Sequence, residues 1–219
     1  MTEAAFSQVI ALITGLLMLT GVLIVWRKTL ASNIRLLSIQ GFTLAALALV
    51  IAIWEDTPEL IAIAAVVALL KGAVMPLMLR RAVTTTGNLR EEHSTVGTNT
   101  ALLSIALLTA LAYLVSAPFG AVTAGPATSA VPIGLALVFF GFFTITTRTH
   151  AVSQLVGYLM IDNGIGTVAF LLAGGLPLVV ELGGAMDVLL VVVILQVLTS
   201  RISSQLGAAD LDDLTELRD

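Results

Sequence analysis

Apolar residues run through this chain in long unbroken blocks, and the polar residues between the blocks gather in short clusters. Nowhere do they form the alternating ten-residue segments of a membrane β-strand. Each block approaches the roughly 20 helical residues that cross a hydrocarbon core about 30 Å thick. The pattern predicts an all-α, polytopic transmembrane helix bundle with seven spans. They fall near Ala4–Trp26, Leu36–Trp54, Glu59–Leu79, Asn99–Ala117, Val131–Thr147, His150–Ala173 and Glu181–Ser200.

Composition strengthens this reading. Of 219 residues, 58% are hydrophobic and 11% charged, with a mean hydropathy of +1.06, which leaves too little polar surface for a soluble domain of this length. The first apolar run is too long for a signal peptide. It is preceded by Glu3 rather than a basic region, so it reads as a retained span. A net charge of −4 argues against a nucleic-acid partner. The absence of cysteine removes disulfides, thiolate metal centres and cysteine-ligated clusters from this chain. The two histidines, His93 and His150, fall in predicted loops or helix ends, so no haem held by paired intramembrane histidines is expected. No cofactor is expected in this chain.

Charge orients the spans. Arg27, Lys28 and Arg35 follow span one; Arg80, Arg81 and Arg90 follow span three; Arg148 follows span five; Arg201 and Arg218 follow span seven. The intervening loops carry no Lys or Arg, and the first of them holds Glu55, Asp56 and Glu59. By the positive-inside rule the basic side is cytoplasmic, which places the N-terminus outside and the C-terminus in the cytoplasm. An odd number of spans preserves this alternation. The spans divide into a three-span unit over 1–98, a connecting span and loop over 99–130, a second three-span unit over 131–206 and a cytosolic acidic tail over 207–219. In each unit the middle helix has a glycine near its start, Gly41 or Gly157. Thirty residues later comes a charge inside the next helix, Lys71 or Asp187. Duplication and chance both account for this.

Three charges lie within the spans. A charge at the bilayer centre costs about 2.5–3.5 kcal/mol on insertion scales. At 1.5 Å per residue, Lys71 lies roughly 18 Å from the outer end of its span, Asp162 roughly 18 Å from the inner end of its own, and Asp187 roughly 9 Å from the outer end of the last. His150, Gln154, Tyr158 and Asp162 recur at i+4 and form one polar ridge. Asn163 adjoins it, and Gly164 and Gly166 leave room for water or a close helix. This ridge suits a proton path, the reading favoured because intramembrane carboxylates are disproportionately functional; the alternative makes Gln154 and Tyr158 interfacial anchors and Asp162 a partner to a neighbouring helix. Pro76 lacks an N–H, so the carbonyl of Gly72 loses its helical partner in a kinked helix beside Lys71. That is an ion or water site, or Lys71 pairs with Asp162 or Asp187 and staples helices. Phe139, Phe140, Phe142 and Phe143 read as lipid or helix packing, and Glu181 as an interfacial charge.

The stretches Gly157-Tyr-Leu-Met-Ile-Asp-Asn-Gly164, Glu181-Leu-Gly-Gly-Ala-Met-Asp187 and Asp210-Leu-Asp-Asp-Leu-Thr-Glu-Leu-Arg-Asp219 resemble hydrogenase-4 component E, as does Leu70-Lys71-Gly-Ala-Val-Met-Pro76-Leu. The C-terminal third is also similar to subunit K of respiratory complex I. The resemblance implies a membrane-arm subunit of a formate hydrogenlyase-type or other group 4 [NiFe]-hydrogenase complex in the cytoplasmic (inner) membrane. Its implied partners are antiporter-like membrane subunits, a counterpart of the H-type membrane subunit of complex I, and a peripheral hydrogenase arm carrying the metal centres. It implies that Asp162 and Asp187 stand for the subunit K carboxylate pair in a proton path. Lys71, as an intramembrane charge, is a third candidate relay group. Matched on Gly157, the first of those carboxylates falls on Leu159, one turn before Asp162. A purely structural scaffold and a component of a multisubunit cation/proton antiporter are the alternatives.

Overall fold

In a hydrocarbon core no water is available to the backbone, and a helix satisfies its N–H and C=O groups within one segment. The computed structural model follows that rule. It describes residues 2–85, 95–122, 127–149 and 151–173, and these are helical apart from short connections. In order they form α1 (Glu3–Trp26), α2 (Leu30–Glu55), α3 (Pro58–Val67), a π-helical segment (Ala68–Val74), α4 (Met75–Thr85), α5 (Thr98–Val122), a single 3₁₀ turn (Thr128–Ala130), α6 (Val131–Thr147) and α7 (Ala151–Ala173). The segment from α3 to α4 is one span, so six helices among the described residues are long and apolar enough to cross a membrane. The molecule is a multi-pass membrane protein, helical throughout its described spans. The seventh expected span, with Glu181 and Asp187, lies outside the described residues, as do His93, His150 and the acidic tail.

Local chemistry sets the helix ends. The Thr2 hydroxyl accepts from the Ala5 N–H at 3.3 Å and caps α1. Between α2 and α3 the chain turns in two residues. Asp56 takes a left-handed conformation (φ 54°, ψ 43°), which Asp tolerates better than most side chains. Pro58 then opens α3, at a position where a missing N–H costs nothing. α2 starts at Leu30, six residues before the apolar run alone suggested, because the more polar stretch from Leu30 to Arg35 is helical too. Buried hydroxyls are satisfied on their own helices: Thr14 donates to Ile10 O at 2.8 Å, Thr144 to Phe140 O at 2.8 Å and Thr167 to Asn163 O at 2.7 Å.

α2 is the hub, packing against α1, α3, the π segment, α4 and α7. The closest helix pair is α6 with α7. Gly134 and Gly141 on α6 meet Gly164 and Gly157 on α7. A Cβ on Gly134 would come 3.0 Å from the Gly164 carbonyl, and one on Gly157 would come 2.9 Å from the Gly141 carbonyl. The helices come this close because each glycine faces both the backbone and a β-branched side chain of the other helix. α5 is the most peripheral span, with Leu103, Leu107 and Leu114 exposed. The phenylalanines of α6 divide by face: Phe140 is fully buried and Phe142 exposed.

At the basic end Arg148 is buried. Its guanidinium donates through Nη2 to the carbonyls of Val25 (2.9 Å) and Arg27 (3.0 Å) at the end of α1. It sits in the α6–α7 link as a cap on another helix, where the sequence suggested a loop charge. Gln154 donates to the Arg148 carbonyl at 3.0 Å.

Candidate functional site

The site is built on the π segment. Pro76 cannot donate to Gly72, and the Met75 N–H reaches back five residues to Leu70 O. The Gly72 carbonyl takes a donor from outside its helix, the hydroxyl of Ser38 on α2. α2 can come this close because Gly41 has no side chain. A Cβ there would run into the carbonyl of Lys71 and come 2.7 Å from the Gly72 nitrogen.

Lys71 is carried in the middle of this wide turn and is 4% exposed. Its Nζ lies 2.9 Å from Asp162 Oδ2 on α7. Asp162 keeps 27% exposure, so the pair is buried on the lysine side and open on the aspartate side. Gly166, one turn along α7, makes room for the ammonium: a Cβ there would stand 3.6 Å from Nζ and 3.3 Å from Leu44. The neighbouring Asn163 is buried and donates through Nδ2 to Gln40 Oε1 on α2 at 3.1 Å. α2, the third span and α7 therefore meet through two polar contacts side by side, one charged and one neutral.

Of the residues singled out in the sequence, Lys71, Asp162 and Asn163 come together here. Tyr158 and Gln154 do not point inward: Tyr158 is 45% exposed and Gln154 is exposed as well. The face Gln154–Tyr158–Asp162 runs along the outside of α7 among the described residues. Gln40 was missed. It is a single amide in the apolar run Leu36–Trp54, and only its complete burial and its bond to Asn163 reveal it. Its Nε2 has no hydrogen-bond partner among the described residues. Ser38 was missed for the same reason, although the orphaned Gly72 carbonyl signalled that some donor was needed.

Toward the basic end of the bundle, a small void separates the pair from the interface. Leu37, Met75 and Leu159 line it together with Lys71 and Asn163, and it has no room for a water molecule. Among the described residues no group of three or more His, Asp or Glu gathers as a metal site.

Fold and site together define a polytopic α-helical membrane protein with a lysine–aspartate pair set at the junction of three spans. The chain is 44% identical over 220 residues to a Mycobacterium tuberculosis protein named "Uncharacterized protein Rv0085", with the whole of both chains covered. It belongs to the same family as that mycobacterial protein. Hydrogenase-4 component E of Escherichia coli K12 and that of Shigella flexneri are each 24% identical to it over 212 residues, 97% of this chain and 98% of theirs. That is a distant homology over nearly the whole chain. No family model and no solved structure matches.

Proposed function

We propose that this chain is a membrane-arm subunit of a multisubunit, membrane-bound [NiFe]-hydrogenase-type complex in the inner membrane. It contributes to a transmembrane proton path coupled to redox chemistry in partner subunits. The observation that carries this reading is the Lys71–Asp162 pair, placed on a π segment inside a span and matched to a chain distantly homologous to a hydrogenase component. Intramembrane charges are costly and mark ion and proton pathways more often than not. In this reading the chain has seven spans, with the N-terminus outside and the C-terminus in the cytoplasm. Spans 131–206 are the subunit K-like unit, and Asp187 is the second carboxylate of the relay. Partners are antiporter-like membrane subunits, an H-type membrane subunit of the complex I kind, and a peripheral hydrogenase arm.

The relay follows from charge balance. While Asp162 is ionised it holds the Lys71 ammonium. A proton arriving on its carboxylate removes that attraction, and the ammonium is free to turn toward another acceptor. Loss of the proton restores the pair. The open edge of Asp162 supports entry along the outer face of α7, past Gln154 and Tyr158. The dry void at Leu37, Met75 and Leu159 disfavours entry through the bundle interior. The position matched to the first subunit K carboxylate, Leu159, is one of the residues that seal it.

The test is Asp162→Asn in the intact complex, with proton uptake read by a pH-sensitive dye in inverted membrane vesicles. Translocation should fall at least tenfold while the same subunits co-purify. Full translocation by an assembled variant complex would sink the relay. A structural scaffold is the second reading, favoured by the Asn163–Gln40 bond, which ties α7 to α2 without any charge. It predicts loss of assembly, or no effect, in the same experiment.

A further inference from the structure

A groove runs along α2 on the side away from α1. Its first stretch, about 270 Å³, lies between α2 and the segment from Gly72 to Arg80. Arg35 and Arg80 stand at its mouth, Phe42 and Leu77 flank it, and Gly72 and Ala73 form its floor. The second stretch, about 340 Å³, continues between α2 and α3 over Ala45, Ala64, Ala65 and Ala68. Phe42 borders both stretches. From Arg35 to Leu49 at the far end is roughly 21 Å of helix, enough to pass from the headgroup region through one leaflet of a core about 30 Å thick.

The chemistry along this groove changes once. Two arginines occupy one end, both exposed, and neither forms an ion pair with a described acidic residue. Beyond them the wall is apolar. Its one hydroxyl, on Ser38, is already donated to the Gly72 carbonyl. That is the profile of an amphiphile with an anionic head and a hydrocarbon tail. Small residues usually let transmembrane helices close on each other. Here alanines floor two open stretches, with the Phe42 ring packed on Gly72 where they meet.

We propose that this groove binds an anionic phospholipid, with its phosphate between the guanidiniums of Arg35 and Arg80 and one acyl chain along the floor past Phe42. Arginine recognises phosphate through paired N–H donors. Basic pockets between transmembrane helices at a membrane surface are a known setting for anionic headgroups. The chain would lie against Ala73 and the Phe42 ring that covers Gly72. The proposal rests on the groove and its two arginines and stands whether or not the pair relays protons.

The experiment uses the full-length protein purified in mild detergent, with phosphatidylglycerol or phosphatidylcholine added and bound lipid counted by native mass spectrometry. Wild type should retain phosphatidylglycerol at least tenfold better than phosphatidylcholine. Arg35→Gln combined with Arg80→Gln should bring the two lipids to the same level, and both substitutions are at exposed positions. As a second arm, phosphatidylglycerol with a photoreactive acyl chain, applied to the unmodified protein, should label residues of α2 and α3 on the groove, Phe42 and Ala65 among them. Equal retention of the two lipids by wild type would overturn the proposal. So would an undiminished preference in the double variant, labelling confined to other faces, or a Leu77→Cys crosslink in native membranes that captures a partner protein's helix in the groove.

Discussion

Lys71 and Asp162 are an unequal pair, and the inequality sets what substitution does. Removing one partner of a fully buried ion pair costs about 3–5 kcal/mol, and exposed pairs are worth about 0–1 kcal/mol. With Lys71 at 4% and Asp162 at 27% exposure, Asp162→Asn should cost about 1–3 kcal/mol, between those limits. Thermal unfolding in detergent would show it, and a melting temperature equal to wild type would mean that the pair carries no net stability. Gly166 gives a graded test of the same site. Gly166→Ala places its methyl in ordinary contact with Nζ and tightly against a flexible leucine, so the loss should stay below about 1 kcal/mol. Gly166→Leu has no such room and should abolish a stable monodisperse species in size-exclusion chromatography. At this scale the sequence was informative about charge and silent about neutral partners. Lys71 and Asp162 stand out because hydrocarbon penalises charge. Gln40 and Ser38 do not, since a single amide or hydroxyl in an apolar helix is commonplace. Periodicity correctly put Gln154, Tyr158 and Asp162 on one side of α7. It did not say which side faces in, because α7 and its neighbours are apolar all round and hydropathy then marks no inner face.

The third span shows how one residue type organises an element. Pro76 removes a donor, the ladder widens into a π segment, and a serine on another helix supplies the missing bond. The carbonyl at Gly72 could be seen to be orphaned from the sequence alone. Its rescuer could not, because Ser38 is 34 residues away and reaches it only through the close approach permitted at Gly41. Ser38→Ala should therefore cost about 1–3 kcal/mol, the penalty for leaving a buried carbonyl without its donor. Ser38→Thr, which retains a hydroxyl, should recover part of it. Equal unfolding temperatures for the alanine variant and wild type would show that the bond is dispensable. The α6–α7 pair sets a second element-scale expectation. A Cβ at Gly141 would come 2.6 Å from the Gly157 carbonyl, a backbone atom that cannot swing aside. Gly141→Val should separate the two helices, at a cost of at least the roughly 1–3 kcal/mol typical of overpacking. An engineered disulfide between α6 and α7 that forms in wild-type background should then fail to form.

At the scale of the whole molecule, the six described spans follow the apolar runs, with ends that move by a few residues where helices continue beyond hydrocarbon. Topology can be tested directly because the chain has no cysteine to interfere. Single variants Lys28→Cys, Glu55→Cys and Thr215→Cys would be probed with a membrane-impermeant maleimide on intact cells stripped of outer membrane. Glu55→Cys should react at once, and the other two only after permeabilisation. Reaction of Thr215→Cys from outside would give an even number of spans, and reaction of Lys28→Cys from outside would reverse the orientation.

The carbonyls at the end of a helix are the ones its own ladder leaves bare. At the end of α1 the carbonyls of Val25 and Arg27 accept from Arg148, which lies 121 residues beyond the second of them. At about 5–20 residues per second, a ribosome makes the residue that closes the first helix roughly 6–24 s after the helix itself. Asn33 on α2 donates to the Arg27 carbonyl at 3.3 Å, so the first hairpin covers that group early, while the Val25 carbonyl still lacks its guanidinium until residue 148 is made. Synthesis thus runs from the first helix onward, while completion returns to the first helix from Arg148, about two-thirds of the way along the 219 residues. A chain released before residue 148 would hold its early spans in the membrane yet leave their seam unsewn.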